Sequence, residues 1–289
     1  MGFGGIGDEL LSTGLIRELH DQTGRPIDVH ARHPGLFQHN PGVRRILAAD
    51  PALLETAETW QADLRRPCEW QRDLDEDRQE PPARHIITEA AIAAGVGGSL
   101  VIRPYLYLKP KEIECAPLPE SRRGWVAIQS SGSAAHYFFR NKEWGVNRFQ
   151  ETADSLLRKF DLVQLGAASD PLLDGVLDRR GLPDLRMSAA ILVRSLFFVG
   201  QVGFLMHLAR AVDRRSVIIY GGRELPEQSG YPCNENLVGP MPCSPCWQKS
   251  LCDYDRACLG AVKPADVLAA VERILPRLGL PLEQATASL

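Results

Sequence analysis

The stretch WVAIQSSGS, residues 125–133, decides the fold class, because a strand pattern runs straight into a polar serine and glycine loop. Further strand patterns follow at 162–165, 196–199 and 216–220, and helix patterns at 146–159, 204–211 and 264–278. Strands that alternate with helices predict a parallel sheet covered by helices on both faces. The sequence therefore predicts an α/β fold for this half of the chain.

The N-terminal half begins with the same kind of unit. The glycine loop Gly4-Gly5-Ile6-Gly7-Asp8 precedes apolar residues at helical spacing over 8–22, and a strand pattern follows at 27–31. Residues 109–123 hold three prolines and several charges, which predicts a linker. We therefore predict two Rossmann-like, doubly wound domains that face a cleft, one over 1–115 and one over 116–289.

The composition narrows the classes of function. The chain has 289 residues, is 44% hydrophobic and carries a formal net charge of −3, so it lacks the basic field that holds nucleic acid. No stretch approaches the roughly 20 apolar residues of a membrane span. The N-terminus lacks the basic-then-apolar layout of a secretory signal. These features predict a cytoplasmic globular protein that binds no nucleic acid and has no membrane span.

Asp8 is the first candidate for chemistry. It stands at the first turn of a helix, beyond a glycine loop formed by Gly4, Gly5 and Gly7. One interpretation is a helix cap, since aspartate is favoured there. The other is a general base, which the missing side chains of the loop would leave open to a substrate.

Two further segments offer groups for a phosphate. Ser130, Ser131, Gly132 and Ser133 follow the first strand of the second half, and Lys142 lies nine residues beyond them. Hydroxyls, backbone N–H groups and a lysine suit a pyrophosphate. The alternative is an ordinary polar loop with a solvated lysine, which would have the same sequence pattern. The segment GQVGFLMHLA, 200–209, turns from strand to helix and would aim a helix N-terminus at the same cleft. Its candidate contacts are Gly203, Met206 and His207, with a core histidine as the alternative.

Five of the seven cysteines lie within 233–258. Cys243 and Cys246 form a C-x-x-C knuckle, and Cys252 and Cys258 follow as single thiols. Such a set suits one structural Zn or Fe ion in a closed shell, distant from the reacting atoms, with Cys233 as the substitute if one of the four points away. Buried free thiols and redox chemistry are the alternatives.

Taken in order, these motifs resemble glycosyltransferase family 9, the family of the ADP-heptose heptosyltransferases. The match consists of Gly-Gly-Ile-Gly-Asp at 4–8, Lys-Glu-Trp at 142–144, Met-His-Leu-Ala at 206–209 and the cysteine cluster. No one of these motifs is specific, but their shared order over residues 2–275 is.

The resemblance implies a GT-B fold and a heptosyltransferase-like transferase of lipopolysaccharide or glycan biosynthesis, in enzyme class EC 2.4. Such an enzyme inverts the anomeric centre and needs no cofactor for the chemical step. Its partners would be a nucleoside-diphosphate sugar, an ADP-sugar above all, and a glycan, lipid-linked or protein acceptor. Asp8 matches the family's general base, Lys142 the residue near the donor phosphates, and His207 the histidine of the helix segment.

The sequence also departs from the family pattern. The Asp-Ser-Gly triplet before the helix is Val202-Gly203-Phe204 here, so the carboxylate that would meet the sugar is missing. A similar group, the autotransporter heptosyltransferases, carries iron on clustered cysteines. A non-catalytic nucleotide-sugar-binding relative and a metal-stabilised interaction protein therefore remain as alternatives to an enzyme.

Overall fold

The computed structural model describes residues 5–48, 72–133 and 138–278. Within them the helices are α1 (Ile6–Thr23), α2 (Ile86–Ala93), α3 (Pro110–Glu114), α4 (Val146–Leu156), α5 (Leu185–Arg194), α6 (Phe204–Ala211), α7 (Pro226–Ser229), α8 (Ala257–Ala261) and α9 (Pro264–Ile274). The strands are β1 (Ile27–Ala31), β2 (Val43–Ala48), β3 (Trp125–Ile128), β4 (Asp161–Gln164), β5 (Leu177–Asp178), β6 (Phe198–Gln201), β7 (Ser216–Gly221) and β8 (Glu235–Val238).

The C-terminal half is built on one six-stranded sheet in the order β5-β4-β3-β6-β7-β8, with every neighbouring pair parallel. Counted within this half, that is the 3-2-1-4-5-6 order of a doubly wound sheet. The order reverses between β3 and β6. In such sheets ligands bind at the carboxyl ends of the strands beside that reversal, so the loops after β3 and β6 are the first place to look for a site.

Alternating side chains of the strands pack on two separate helix layers. Val126 and Ile128 of β3 join an apolar cluster with α4 and α9, whereas Ala127, between them, joins the cluster with α5 and α6. This is the period of two expected for a strand buried on both faces. The predicted α/β fold with a parallel sheet is therefore confirmed.

The described part of the N-terminal half is smaller. Its strands β1 and β2 form a two-stranded parallel sheet, and α1 packs between that sheet and α6. Gly14 makes the close approach of α1 possible, because a Cβ there would lie 2.6 Å from the carbonyl oxygen of Arg103. Apolar side chains of α1 share one cluster with those of α6. The two halves are thus joined through a continuous apolar layer.

Arg186 of α5 ties the halves together at a second point. Its Nε donates to Glu112 Oε1 over 2.6 Å, its Nη1 to the Gly35 carbonyl over 2.8 Å and its Nη2 to the Tyr107 carbonyl over 2.6 Å. Glu112 belongs to α3, within the segment 109–123 that the sequence predicts as a linker. This segment contains a short helix because Pro110 suits the first turn of a helix and starts α3.

Candidate functional site

Asp8 lies at the start of α1, where its Oδ2 accepts a 2.8 Å hydrogen bond from the backbone N–H of Gly5. This bond is the helix cap that the first of the two interpretations of Asp8 predicts. Burial nevertheless raises the pKa of Asp8 above its ordinary value, against the lowering effects of the Gly5 N–H and of Lys142. A Cβ placed on Gly5 or Gly7 would meet nothing within 4 Å, so the space beside the helix start is open. Gly4 lies outside the described residues.

Lys142 comes from the other half of the chain, at the end of a 3-10 turn over Arg140–Lys142. Its charge lowers the pKa of Asp8, and the charge of Asp8 in turn raises the pKa of Lys142. The structure therefore brings the two principal candidates of the sequence to one space. Burial is the largest influence on Lys142 and lowers its pKa overall.

Glu224, which the sequence analysis missed, is the direct partner of Lys142. Its Oε1 lies 2.6 Å from Lys142 Nζ and accepts a 2.9 Å hydrogen bond from Arg223 Nη1. Its Oε2 accepts a 2.7 Å bond from Ser229 Oγ. Its position in the sequence was the available signal: the Gly-Arg-Glu segment at 222–224 directly follows β7, at the strand end where a doubly wound sheet binds ligands.

The serine loop after β3 is largely occupied by the protein itself. Ser131 Oγ and the Gly132 N–H donate to the two oxygens of Glu143 over 2.8 Å each. Ser130 is buried, and its Oγ donates to the Pro171 carbonyl. Ser133 is exposed at the end of the loop. Ser130, Ser131 and Gly132 thus hold the loop together through these bonds, and a contact of the loop with a phosphate stays a prediction.

The N-terminus of α6 opens at Gly203, where an added Cβ would meet nothing within 4 Å. His207 is buried one turn further on, and its Nδ1 lies 2.7 Å from Tyr231 Oη. Burial lowers the pKa of His207 to about 3, so this imidazole is neutral at physiological pH and offers a hydrogen bond, not a charge. Met206 is fully buried, and its sulfur lies 3.3 Å from Tyr220 Oη. The side chain of Met206 thus packs in the core, and its contact with a donor stays a prediction.

The four cysteines of the predicted metal site line one cavity of about 260 Å³, together with Arg223 and Asn141. They are Cys243, Cys246, Cys252 and Cys258. Cys233 lies elsewhere and packs against the cluster that includes α6. Arg223 also bonds Glu224, the partner of Lys142, so one residue of the cavity lining belongs to the cluster of charges around Lys142.

Burial raises the pKa of the thiols of Cys246 and Cys258. The backbone N–H of Arg256 donates to Cys252 Sγ over 3.3 Å. In the part of the chain that the structure describes, no group of three or more His, Cys, Asp or Glu residues is placed to hold a metal ion. The described helices also include none that is long and apolar enough to cross a membrane.

No protein-family model matches the sequence, and no curated protein matches it significantly. Solved structures do. The E. coli ADP-heptose lps heptosyltransferase II has 16% identity and a TM-score of 0.69, over 96% of this chain and 97% of that chain. The family 9 glycosyl transferase from Veillonella parvula DSM 2008 has 16% identity and a TM-score of 0.69, over 94% and 95%.

A third similar structure is the iron-containing dodecameric glycosyltransferase TibC from enterotoxigenic E. coli H10407. It has 15% identity and a TM-score of 0.72, over 96% of this chain and 75% of that chain. TibC has also been solved in complex with ADP-D-beta-D-heptose. In its fold, this chain resembles the family 9 glycosyltransferases and heptosyltransferases, as the order of its motifs indicated.

Proposed function

We propose that this chain is an inverting glycosyltransferase of the GT-B type, with an acceptor-binding unit over 1–115 and a donor-binding unit over 116–289. The observation that carries the proposal is that Asp8, at the start of α1, and Lys142, in the connection after β3 at the strand reversal of the parallel sheet, lie near enough for the charge of each to shift the pKa of the other. A carboxylate for the acceptor and a cation for the leaving group are the two charges that sugar transfer requires. Transfer would take place in the cytoplasm.

Asp8 would act as the general base. The proton of the acceptor hydroxyl passes to a carboxylate oxygen of Asp8 while the hydroxyl oxygen bonds to the anomeric carbon. The bond from that carbon to the diphosphate breaks on the opposite face, and its electron pair leaves with the nucleoside diphosphate. The raised pKa of Asp8 suits this role, because a base works best when its pKa lies closer to the working pH.

The donor diphosphate would lie between Lys142 and the N-terminus of α6. Lys142 supplies the charge, the helix end at Gly203 supplies backbone N–H groups, and His207 supplies a neutral hydrogen bond. This arrangement provides the positive field without a bound cofactor. Because TibC binds ADP-D-beta-D-heptose, we propose an ADP-sugar as the donor.

The test is donor turnover. The protein is incubated with a panel of ADP-, GDP- and UDP-sugars, with and without glycan acceptors, and released nucleoside diphosphate and the product's anomeric configuration are measured. We expect release from at least one ADP-sugar and an inverted product. A protein that binds no nucleoside diphosphate in calorimetry would refute the proposal.

A non-catalytic nucleotide-sugar-binding relative is the second candidate. It is favoured by Val202-Gly203-Phe204, which lacks the family's sugar-facing carboxylate. Such a protein would bind ADP-sugars but release no ADP, either by transfer or by slow hydrolysis without acceptor. The same panel therefore separates the two candidates.

We also propose that Cys243, Cys246, Cys252 and Cys258 bind one structural Zn or Fe ion. The residues fit in their chemistry, because four soft thiol ligands line one cavity and a backbone N–H already points at one of the sulfurs. The ion would fold the irregular segment around it and would take no part in the reaction.

Elemental analysis of protein purified without an affinity-metal step decides this. We expect about one metal ion per chain in the wild type, and loss of that ion in Cys246→Ser. Cys233→Ser is the matched control, because Cys233 lies outside the cavity, and it should keep the metal. A metal-free wild type of unchanged stability would leave the four residues as buried thiols.

A further inference from the structure

Lys142, Arg223 and Glu224 form a buried cluster of charges, here called the charge triad. Glu224 stands between the two cations, with Lys142 Nζ at 2.6 Å and Arg223 Nη1 at 2.9 Å from the same oxygen. The side chains of Arg223 and Glu224 are 1% and 4% exposed, whereas that of Lys142 is 21% exposed. Lys142 is therefore the member of the triad that a ligand can reach.

The triad raises a question about the donor site, because the lysine proposed to bind the diphosphate is already paired with a carboxylate. Two cations and one anion leave one positive charge in excess. Arg223 is fixed in place by the Gln248 carbonyl at 3.0 Å and by Gln79 Oε1 at 2.7 Å. Its guanidinium also lies over the Trp247 ring, 4.7 Å from the centroid. Arg223 thus cannot leave Glu224 easily, whereas Lys142 can.

We propose that Glu224 is a positioning residue that keeps Lys142 charged and directed at the donor site, and that Arg223 compensates Glu224 when Lys142 turns to the diphosphate. The inference rests on the proposed donor-binding role of Lys142. Ser229, which donates to the second oxygen of Glu224 over 2.7 Å, would hold the carboxylate in place during that turn. Glu224 would touch no substrate itself.

The charges around Lys142 show what Glu224 contributes. Glu224 and Asp8 favour its cationic form, whereas burial and Arg223 disfavour it. His207 also faces Lys142 but is neutral at physiological pH. Without Glu224, burial and Arg223 would act against Asp8 alone, and the amine would lose its proton at a lower pH. A neutral amine attracts a diphosphate far less than an ammonium does.

The experiment measures ADP binding by calorimetry from about pH 6 to about pH 9 for the wild type and Glu224→Gln. We expect the wild-type affinity to depend less on pH than that of the variant, because Glu224 favours the ammonium form of Lys142. In Glu224→Gln we expect affinity to fall as pH rises, toward the limiting slope of about tenfold per pH unit for the loss of one proton. A Glu224→Gln profile parallel to that of the wild type would overturn the proposal.

Two further variants make the result specific. Arg223→Gln leaves Lys142 and Glu224 as a neutral pair, so we expect weaker ADP binding at every pH, with no added slope. Glu227→Gln is the matched control, because this carboxylate lies three residues from Glu224 but is exposed. It should reproduce the wild-type profile. A pH slope in Glu227→Gln would mean that the effect is a general change of charge, which contradicts the proposal.

A second measurement does not depend on ADP. The reaction of Lys142 with an amine-selective acylating reagent, followed by mass spectrometry, reports the fraction of neutral amine. At about pH 7.5 we expect Glu224→Gln to label faster than the wild type by roughly tenfold or more, since only the neutral amine reacts. Equal labelling would refute the role of Glu224. Faster labelling in a protein that does not bind ADP would support that role and refute the proposed function.

Discussion

Replacing Asp8 with asparagine separates its structural role from its chemical one. Asparagine keeps an oxygen that can accept the Gly5 N–H bond, so the start of α1 should be preserved. Because burial places the pKa of folded Asp8 above its ordinary value of 3.8, the ionised carboxylate costs stability. That cost appears as pH rises above the unfolded pKa and is complete above the folded pKa. Asp8→Asn removes it, so we expect a Tm at neutral pH equal to or above that of the wild type.

The rate of sugar transfer by Asp8→Asn should decrease, although its Tm should not. Removing a general base costs roughly 10²–10⁴-fold, which corresponds to about 3–5.5 kcal/mol of transition-state stabilisation. The assay follows ADP release from an ADP-sugar at saturating acceptor. Asp21→Asn is the control on the same helix, because Asp21 lies in an exposed ion pair with Arg17 near the other end of α1. Turnover of Asp8→Asn within about threefold of the wild type would refute the assignment.

Three further predictions follow from other side chains. Lys142→Ala should weaken ADP binding by about 2–3 kcal/mol, or roughly 30- to 150-fold in calorimetry, since it removes a charge-assisted contact; an unchanged Kd would contradict this. Arg186→Met should lower the free energy of unfolding in urea by about 2–4 kcal/mol, because it breaks four part-buried hydrogen bonds that the guanidinium donates. Arg186 lowers the pKa of Glu112 to about 2, so the wild type should lose the stability of this pair as the pH falls from about 4.5 to about 2. Arg186→Met lacks the pair and should not show this loss. Burial lowers the pKa of His85 to about 4 and that of His207 to about 3. As the pH falls below 6.5, the free energy of unfolding should therefore decrease by about 1.4 kcal/mol per pH unit for each histidine, and His207→Gln should halve that slope.

The sequence predicted the elements whose pattern is long and self-contained. Helix α6 was predicted at its observed bounds, and β3 and β7 within one residue at one end, because compact apolar patterns mark them. Helix α5 was missed: it presents Ala189, Ala190, Ile191 and Leu192 to the core in an unbroken run that has no helical period. Strand β5 has two residues, too few for any alternation to appear.

The same limit explains the candidate site. Asp8, Lys142 and His207 belong to recognisable motifs, so the sequence alone was enough to select them as candidates. The roles of Glu224 and Glu143 were not predicted, although Glu143 belongs to the Lys-Glu-Trp motif, because they depend on partners far along the chain: Glu143 is 58 residues from Gln201, which donates to it over 2.6 Å. The hydrogen bonds of the serine loop were not predicted for the same reason. No local sequence pattern indicates that the donors of this loop bond to Glu143, or that Gln201 of β6 holds that carboxylate in place.

The distribution of charge supports the proposed site independently of any relative. Exposed ion pairs stabilise their charged forms, as in Asp28, whose pKa falls beside Arg44 and Arg45. Asp8 and Lys142 show the reverse, since burial moves the pKa of each toward its neutral form. A fold gains no stability from such groups. That the two lie near each other, with Lys142 in the connection after β3 at the strand reversal, is explained if a substrate, absent from the folded chain alone, completes their charge balance.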